Sequence, residues 1–189
     1  KYNAGNIYSV DYALKRLGVE AIITSDKETL MKADKVIFPG VGEAETTMNF
    51  LREQKLDSLI KDLKQPVLGI CLGMQLMCRH SEEGDADCLG IFDIDVKKFQ
   101  PMRHEDKVPH MGWNSLDISP DGRLFKDIND QSYVYFVHSY YLKAKDEAIV
   151  KAKSEYGNII HASVEKDNIF ACQFHPEKSG EVGLKILSN

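Results

Sequence analysis

Long apolar runs are missing from this 189-residue chain, tryptophan occurs once and cysteine only four times. No stretch approaches the ~18 consecutive apolar residues of a membrane-spanning helix, so none is readable. No basic, then apolar, then small-residue pattern marks a secretory signal. The cysteines, Cys71, Cys78, Cys88 and Cys172, are spread without metal-ligand spacing. The economical reading is a reduced, cytoplasmic chain with free thiols. Positive charge is not in excess. The formal net charge is -5 and the pI about 5.7, which gives no reason to expect a nucleic-acid or membrane surface. Internal repeats, low-complexity runs and linkers are also missing, so residues 1–189 read as one domain. Finally, the chain opens on a loop, Tyr2-Asn3-Ala4-Gly5-Asn6, that leads straight into a helix. An α/β chain usually places a strand before such a loop, so the expectation is a missing N-terminal strand.

What is present alternates. Val10, Ala13, Leu14 and Leu17 recur at helical spacing and Gly18 stops them. Residues 19–23 read as a strand, as do 36–38, which end at Pro39-Gly40-Val41-Gly42. A long helical stretch follows, with Met48, Leu51, Leu56, Leu59, Ile60 and Leu63 on its apolar face. Residues 67–70 read as a buried strand running into a helix that carries Met74, Gln75 and Met77. This is the pattern of an α/β fold, an open, mostly parallel sheet flanked by helices. The second half reads as strands over 89–99, 115–118, 133–142, 148–152, 159–164 and 169–174. Turns such as Tyr156-Gly157-Asn158 and Lys166-Asp167-Asn168 separate them. These are expected to add antiparallel strands, and a short helix after Ser179 closes the chain.

The strongest chemical signal is Gly69-Ile70-Cys71-Leu72-Gly73. A nucleophile between nearby glycines, at a strand-to-helix junction, has the logic of a nucleophile elbow. The helix that follows points its amide end at the sulfur and favours the reactive thiolate. Most lone cysteines are inert core residues, and Cys78, Cys88 and Cys172, without the elbow, are read that way. Phe174-His175-Pro176-Glu177 supplies a base and, two residues on, an acid able to orient it. Alone, His-Pro-Glu would be a surface turn. An acyl-transfer site also needs oxyanion donors. Backbone at Gly40 and Val41 ends a parallel strand, where open α/β sheets place ligands, and the Leu72 amide is the natural second donor.

In that order, Pro-Gly-Val-Gly, Gly-Ile-Cys-Leu-Gly-Met-Gln and Gln-Phe-His-Pro-Glu-Lys make the chain resemble the class I (triad) glutamine amidotransferases along almost its whole length. The resemblance implies glutamine as substrate and no cofactor or metal. It implies a γ-glutamyl thioester on Cys71, with His175 as base and acid and Glu177 as its orienter. It further implies glutamine binding by backbone around Gly42, by Gln75, and by the segment His138, Ser139 and Tyr140.

Two further stretches narrow the resemblance. Tyr2-Asn3-Ala4-Gly5-Asn6 and Pro109-His110-Met111-Gly112-Trp113-Asn114 are similar to the glutaminase subunits of imidazole glycerol phosphate synthases, and Tyr135-Phe136-Val137-His138-Ser139-Tyr140 agrees. This subfamily implies a heterodimer with a (β/α)8-barrel cyclase, a step of histidine biosynthesis. It implies that Asn3, Asn6 and Trp113 face that partner, with Trp113 at an interface or tunnel mouth rather than in the core. For His110 an ordinary loop role and a functional one stay open. His80, His104 and His161 carry no pattern. The alternatives are a glutaminase subunit for pyridoxal phosphate or anthranilate synthesis, a DJ-1-like or peptidase-like cysteine hydrolase, and a catalytically dead binding module. Glycines on both sides of Val41 also let that peptide rotate at modest cost. It can present an N–H or a carbonyl to the Cys71 pocket, a physical brake that a partner could release.

Overall fold

The structure is a computed structural model that describes residues 7–40, 42–101 and 107–189. Asn3, Asn6, Val41 and His104 lie outside the described residues. The first half runs α1 (Ile7–Arg16), α2 (Lys27–Lys32), β1 (Val36–Gly40), α3 (Ala44–Glu53), α4 (Leu56–Asp62), β2 (Val67–Cys71) and α5 (Leu72–Leu76). The second half is mostly strand. It contains β3 (His80–Ser81), β4 (Ala86–Asp87), β5 (Asp95–Lys98), β6 (His110–Ser115), β7 (Asp117–Ile118), β8 (Tyr133–His138), β9 (Tyr140–Leu142), β10 (Val150–Tyr156), β11 (Asn158–Lys166) and β12 (Ile169–Cys172). Helix α6 (Gly180–Ser188) follows.

The central sheet has the order β1-β2-β12-β11-β10-β7. β1, β2 and β12 are parallel neighbours. β11, β10 and β7 extend the sheet antiparallel, the additions expected from the C-terminal half. Strand alternation divides the core between two faces. Phe38, Val67, Ile169 and Ala171 face α3, α4 and α5, which contribute Met48, Leu51, Leu56, Ile60, Met74 and Leu76. Ile70, Cys172 and Phe174 share the other cluster with Val10 of α1, Ile186 of α6 and Phe136 of β8. At about 1.5–3 kcal/mol for each fully buried large side chain, these two layers hold β2 and β12 rigidly side by side. Cys71 closes β2, and His175 follows three residues after the end of β12.

Several sequence expectations need correction. Residues 19–23 form no strand. Val19, Ile22 and Ile23 stand exposed, Ile22 at 77%. Among the described residues no strand pairs with the outer edge of β1, and this segment joins no ladder. The long helix is two helices, because Lys55 adopts a left-handed φ of 54° between α3 and α4. Of 89–99 only Asp95–Lys98 is strand. Leu89, Phe92 and Ile94 are buried from a loop, so their apolar run reflects core filling rather than a ladder. Residues 115–118 are split at Leu116 between β6 and β7, and 133–142 are split at Ser139 between β8 and β9. Two small sheets were not foreseen: β4-β3-β5-β9 and the β6-β8 ribbon.

Candidate active site

Strand β2 delivers Cys71 to the first turn of α5 at φ 54° and ψ -111°, backbone that a side chain adopts only under constraint. The constraint is close packing of α5 on β1. A Cβ on Gly73 would lie 2.0 Å from the Phe38 carbonyl oxygen, and one on Gly40 would lie 2.4 Å from the Gly73 nitrogen. Only glycine at both places lets helix and strand approach this closely. The strain lifts the Cys71 side chain out of the sheet into a partly exposed position. Gly40 is buried beneath it, and Gly42 is exposed at a left-handed φ of 111°. The Leu72 N–H follows the elbow at the first residue of α5.

His175 is delivered by the chain beyond β12. Its N–H donates to the Tyr135 carbonyl at 2.9 Å, and its own carbonyl accepts from Ser179 Oγ at 2.7 Å. Tyr135 N–H in turn donates to Ser179 Oγ at 2.9 Å. This closed loop of bonds fixes the His175 backbone to β8. Pro176 then opens a 3-10 turn over Pro176–Lys178, which folds Glu177 back so that Oε1 lies 2.8 Å from His175 Nδ1. Burial disfavours a charged imidazole here. The Cys71 sulfur and the Glu177 carboxylate, as hydrogen-bond partners and as charges, outweigh burial and raise the His175 pKa to about 9. Cysteine, histidine and carboxylate therefore meet in one cluster. Such a cluster can pass the thiol proton to the imidazole, attack a carbonyl carbon and return the proton to a leaving amine. The other cysteines are held as thiols by burial: Cys78 and Cys172 well above the usual range and Cys88 at about 11.

The residues expected to hold substrate fall in two groups. Gly42, Ser139 and Tyr140 are at least partly exposed, whereas Gln75 and His138 are buried. Gln75 Nε2 donates to the Tyr140 carbonyl at 3.0 Å and to Gln173 Oε1 at 2.9 Å. His138 Nδ1 lies 2.7 Å from the same Tyr140 carbonyl and His138 Nε2 lies 3.0 Å from His110 Nδ1. A carbonyl can only accept, so the His138 proton is on Nδ1 and His110 donates to Nε2. Burial lowers the His138 pKa to about 3 and that of His110 to about 4, so both rings are neutral. His110 is thus a structural core residue, stacked 3.9 Å from the Tyr156 ring and 4.8 Å from Phe136. Trp113 is 56% exposed and lies edge-on to Tyr135 across the β6-β8 ribbon. Among the described residues no group of three or more His, Cys, Asp or Glu side chains is arranged to hold a metal ion.

Gln173 escaped the sequence reading. It is fully buried, and its Nε2 lies 3.7 Å from Cys71 Sγ. An amide set within the otherwise apolar run 169–174, two residues before the candidate base, was the available signal.

The fold and the Cys71–His175–Glu177 cluster define a class, and the comparisons agree. Residues 2–189 match the family model "Glutamine amidotransferase class-I", and the chain belongs to that family. Within the family it is 62% identical to the imidazole glycerol phosphate synthase subunit HisH of Bacteroides thetaiotaomicron, over all of this chain and 95% of that one. It is 48% identical to the protein of the same name from Pectobacterium atrosepticum, over 97% of this chain and 92% of that one. Among solved structures, one described as a glutamine amidotransferase superposes with a TM-score of 0.74 at 21% identity, covering 98% of this chain and 94% of the other. A glutamine amidotransferase from Thermotoga maritima gives 0.63 at 16% identity, with 95% and 74% covered. At those identities the two structures speak for the fold alone.

Proposed function

We propose that the chain is the glutaminase subunit of an imidazole glycerol phosphate synthase, acting as one domain in a cytoplasmic heterodimer with a (β/α)8-barrel cyclase. Cys71, as the thiolate paired with protonated His175, attacks the side-chain carbonyl of glutamine. The imidazolium, oriented by Glu177, gives its proton to the departing ammonia. Water then hydrolyses the γ-glutamyl thioester with His175 as base, releasing glutamate. The oxyanion is held by the Leu72 N–H and by backbone at Gly40 and Val41. Gly42, Ser139 and Tyr140 line the glutamine, and Gln75 and His138 support them from below. Ammonia passes to the cyclase, where the lyase chemistry takes place.

The observation that supports this reading most is the ion-pair geometry of His175, between a carboxylate 2.8 Å away and the Cys71 sulfur. For the partner face, the support is the β6-β8 ribbon. Its outward residues include Met111 at 61% and Tyr133 at 59% exposure beside Trp113. Its inner edge carries Val137, whose carbonyl lies 3.8 Å from Cys71 Sγ. An apolar, aromatic surface one residue from the nucleophile suits a partner that must receive uncharged ammonia without loss. Asn3 and Asn6 are proposed for the same face by resemblance. The test is steady-state glutamine hydrolysis by the chain alone, with the barrel cyclase, and with the cyclase plus its nucleotide substrate. The rate should rise at each step, the last by on the order of 10²–10³, the value of one oxyanion donor. Trp113→Ala should release ammonia into solution. Equal rates in all three conditions, or tight coupling in Trp113→Ala, would contradict the reading.

A further inference from the structure

We propose that Gln173 is a further catalytic residue, whose side-chain N–H stabilises the Cys71 thiolate, and that Gln75 is the positioning residue that aims it. This rests on Cys71 being the nucleophile. The Tyr140 carbonyl can only accept, and it lies 3.0 Å from Gln75. The Gln75 group facing it is therefore the NH2 and not the oxygen. The same NH2 lies 2.9 Å from Gln173, and its second proton requires an acceptor there. That fixes the oxygen of Gln173 towards Gln75 and turns its NH2 towards Cys71 Sγ, 3.7 Å away. A flipped Gln173 would bring two donors together at one end and face an oxygen to the sulfur at the other. The second bond to the Tyr140 carbonyl, from His138 Nδ1, anchors the start of the relay. Gln173, Gln75 and His138 are all buried, so water does not compete for these bonds.

The sulfur thus sits between groups of opposite preference. The Val137 carbonyl, 3.8 Å away, can only accept and so favours the thiol. The Gln173 N–H favours the thiolate that remains after the proton moves to His175. Because both Gln75 protons are engaged, its oxygen alone is left for substrate. Gln75 therefore acts chiefly through Gln173.

The test is the pH dependence of iodoacetamide alkylation of Cys71 in the full chain, followed on the Cys71 peptide by mass spectrometry. Gln173→Met removes the donor at similar length. Gln173→Glu keeps an acceptor for Gln75 but faces an oxygen to the sulfur, so it carries the measurement if the methionine variant does not fold. The alkylation midpoint should rise by about one to two pH units in Gln173→Met, the loss expected for a hydrogen bond to a charged group, and further in Gln173→Glu. With the partner present, kcat for glutamine should fall about ten- to a hundredfold with little change in KM. Gln75→Met should shift the midpoint in the same direction by less. Midpoints within a few tenths of a unit of the parent in both Gln173 variants would overturn the proposal, even if their thermal stability fell. The two failures are separable. If alkylation of Cys71 leaves glutamine hydrolysis intact, the nucleophile assignment fails. If alkylation inactivates but the midpoints do not move, Gln173 alone fails.

Discussion

Glu177 Oε1 lies 2.8 Å from His175 Nδ1, on a carboxylate side chain with no solvent-exposed surface. A buried carboxylate is held in place only where it is compensated, and here the compensation is an imidazole aimed at the elbow. Replacing Glu177 with Gln should preserve the shape while removing the charge that stabilises the imidazolium. By analogy with triads in which the orienting acid is neutralised, kcat should fall on the order of 10⁴-fold. His175→Ala should cost at least as much, and the double variant little more than the worse single, because the residues act as a unit. Steady-state glutaminase assays with the partner bound would measure this. Additive losses would argue against a shared mechanism.

The histidines also give opposite pH signatures in stability. His175 has its pKa raised from an ordinary 6.5 to about 9. Its contribution is complete below about pH 6.5 and is lost as pH rises through about 9. His110 and His138 are depressed to about 4 and about 3. Their contribution is present above about 6.5 and is lost as pH falls through those values. Urea midpoints from about pH 4 to about pH 9.5 should therefore decline at both ends. Cys71→Ala should flatten the alkaline decline and leave the acid one unchanged. Parallel curves for parent and variant would contradict the His175 assignment.

The elbow stores strain that can be measured. Cys71 at φ 54° and ψ -111° occupies backbone that costs roughly 1–3 kcal/mol for a residue with a Cβ. Cys71→Gly should therefore be more stable than Cys71→Ala by about that amount in urea unfolding, although both are inactive. Elsewhere in strands and helices the order is the reverse. An alanine variant equal to or more stable than the glycine variant would mean that the elbow is relaxed.

The elbow and the His-Pro-Glu turn were legible because their chemistry is local. Two glycines beside Cys71, and a proline that folds Glu177 back within two residues, mark the geometry in the local sequence, although β1 at Gly40 and the Tyr135 carbonyl help to hold it. Gln173 was not legible in that way. Its orientation depends on Gln75 from α5 and a carbonyl from β9, contacts between residues 65 and 98 positions apart. Strand β6 was missed because Gly112, at a φ of 130°, and exposed Met111 and Trp113 break the usual strand pattern. Ladder pairing with β8 decides it instead. Segment 19–23 erred in the other direction. Its β-branched composition signals a strand, but composition supplies no neighbour.

In the proposed division of labour, Cys71 makes ammonia for a reaction completed on another chain. The most direct test is Cys71→Ala reconstituted with the barrel cyclase and the nucleotide substrate, assayed in parallel with glutamine and with an ammonium salt. Glutamine-dependent synthesis should fall to background, with ammonium-dependent synthesis unchanged. Substantial glutamine-dependent product from Cys71→Ala, or equal loss with both nitrogen sources, would contradict it.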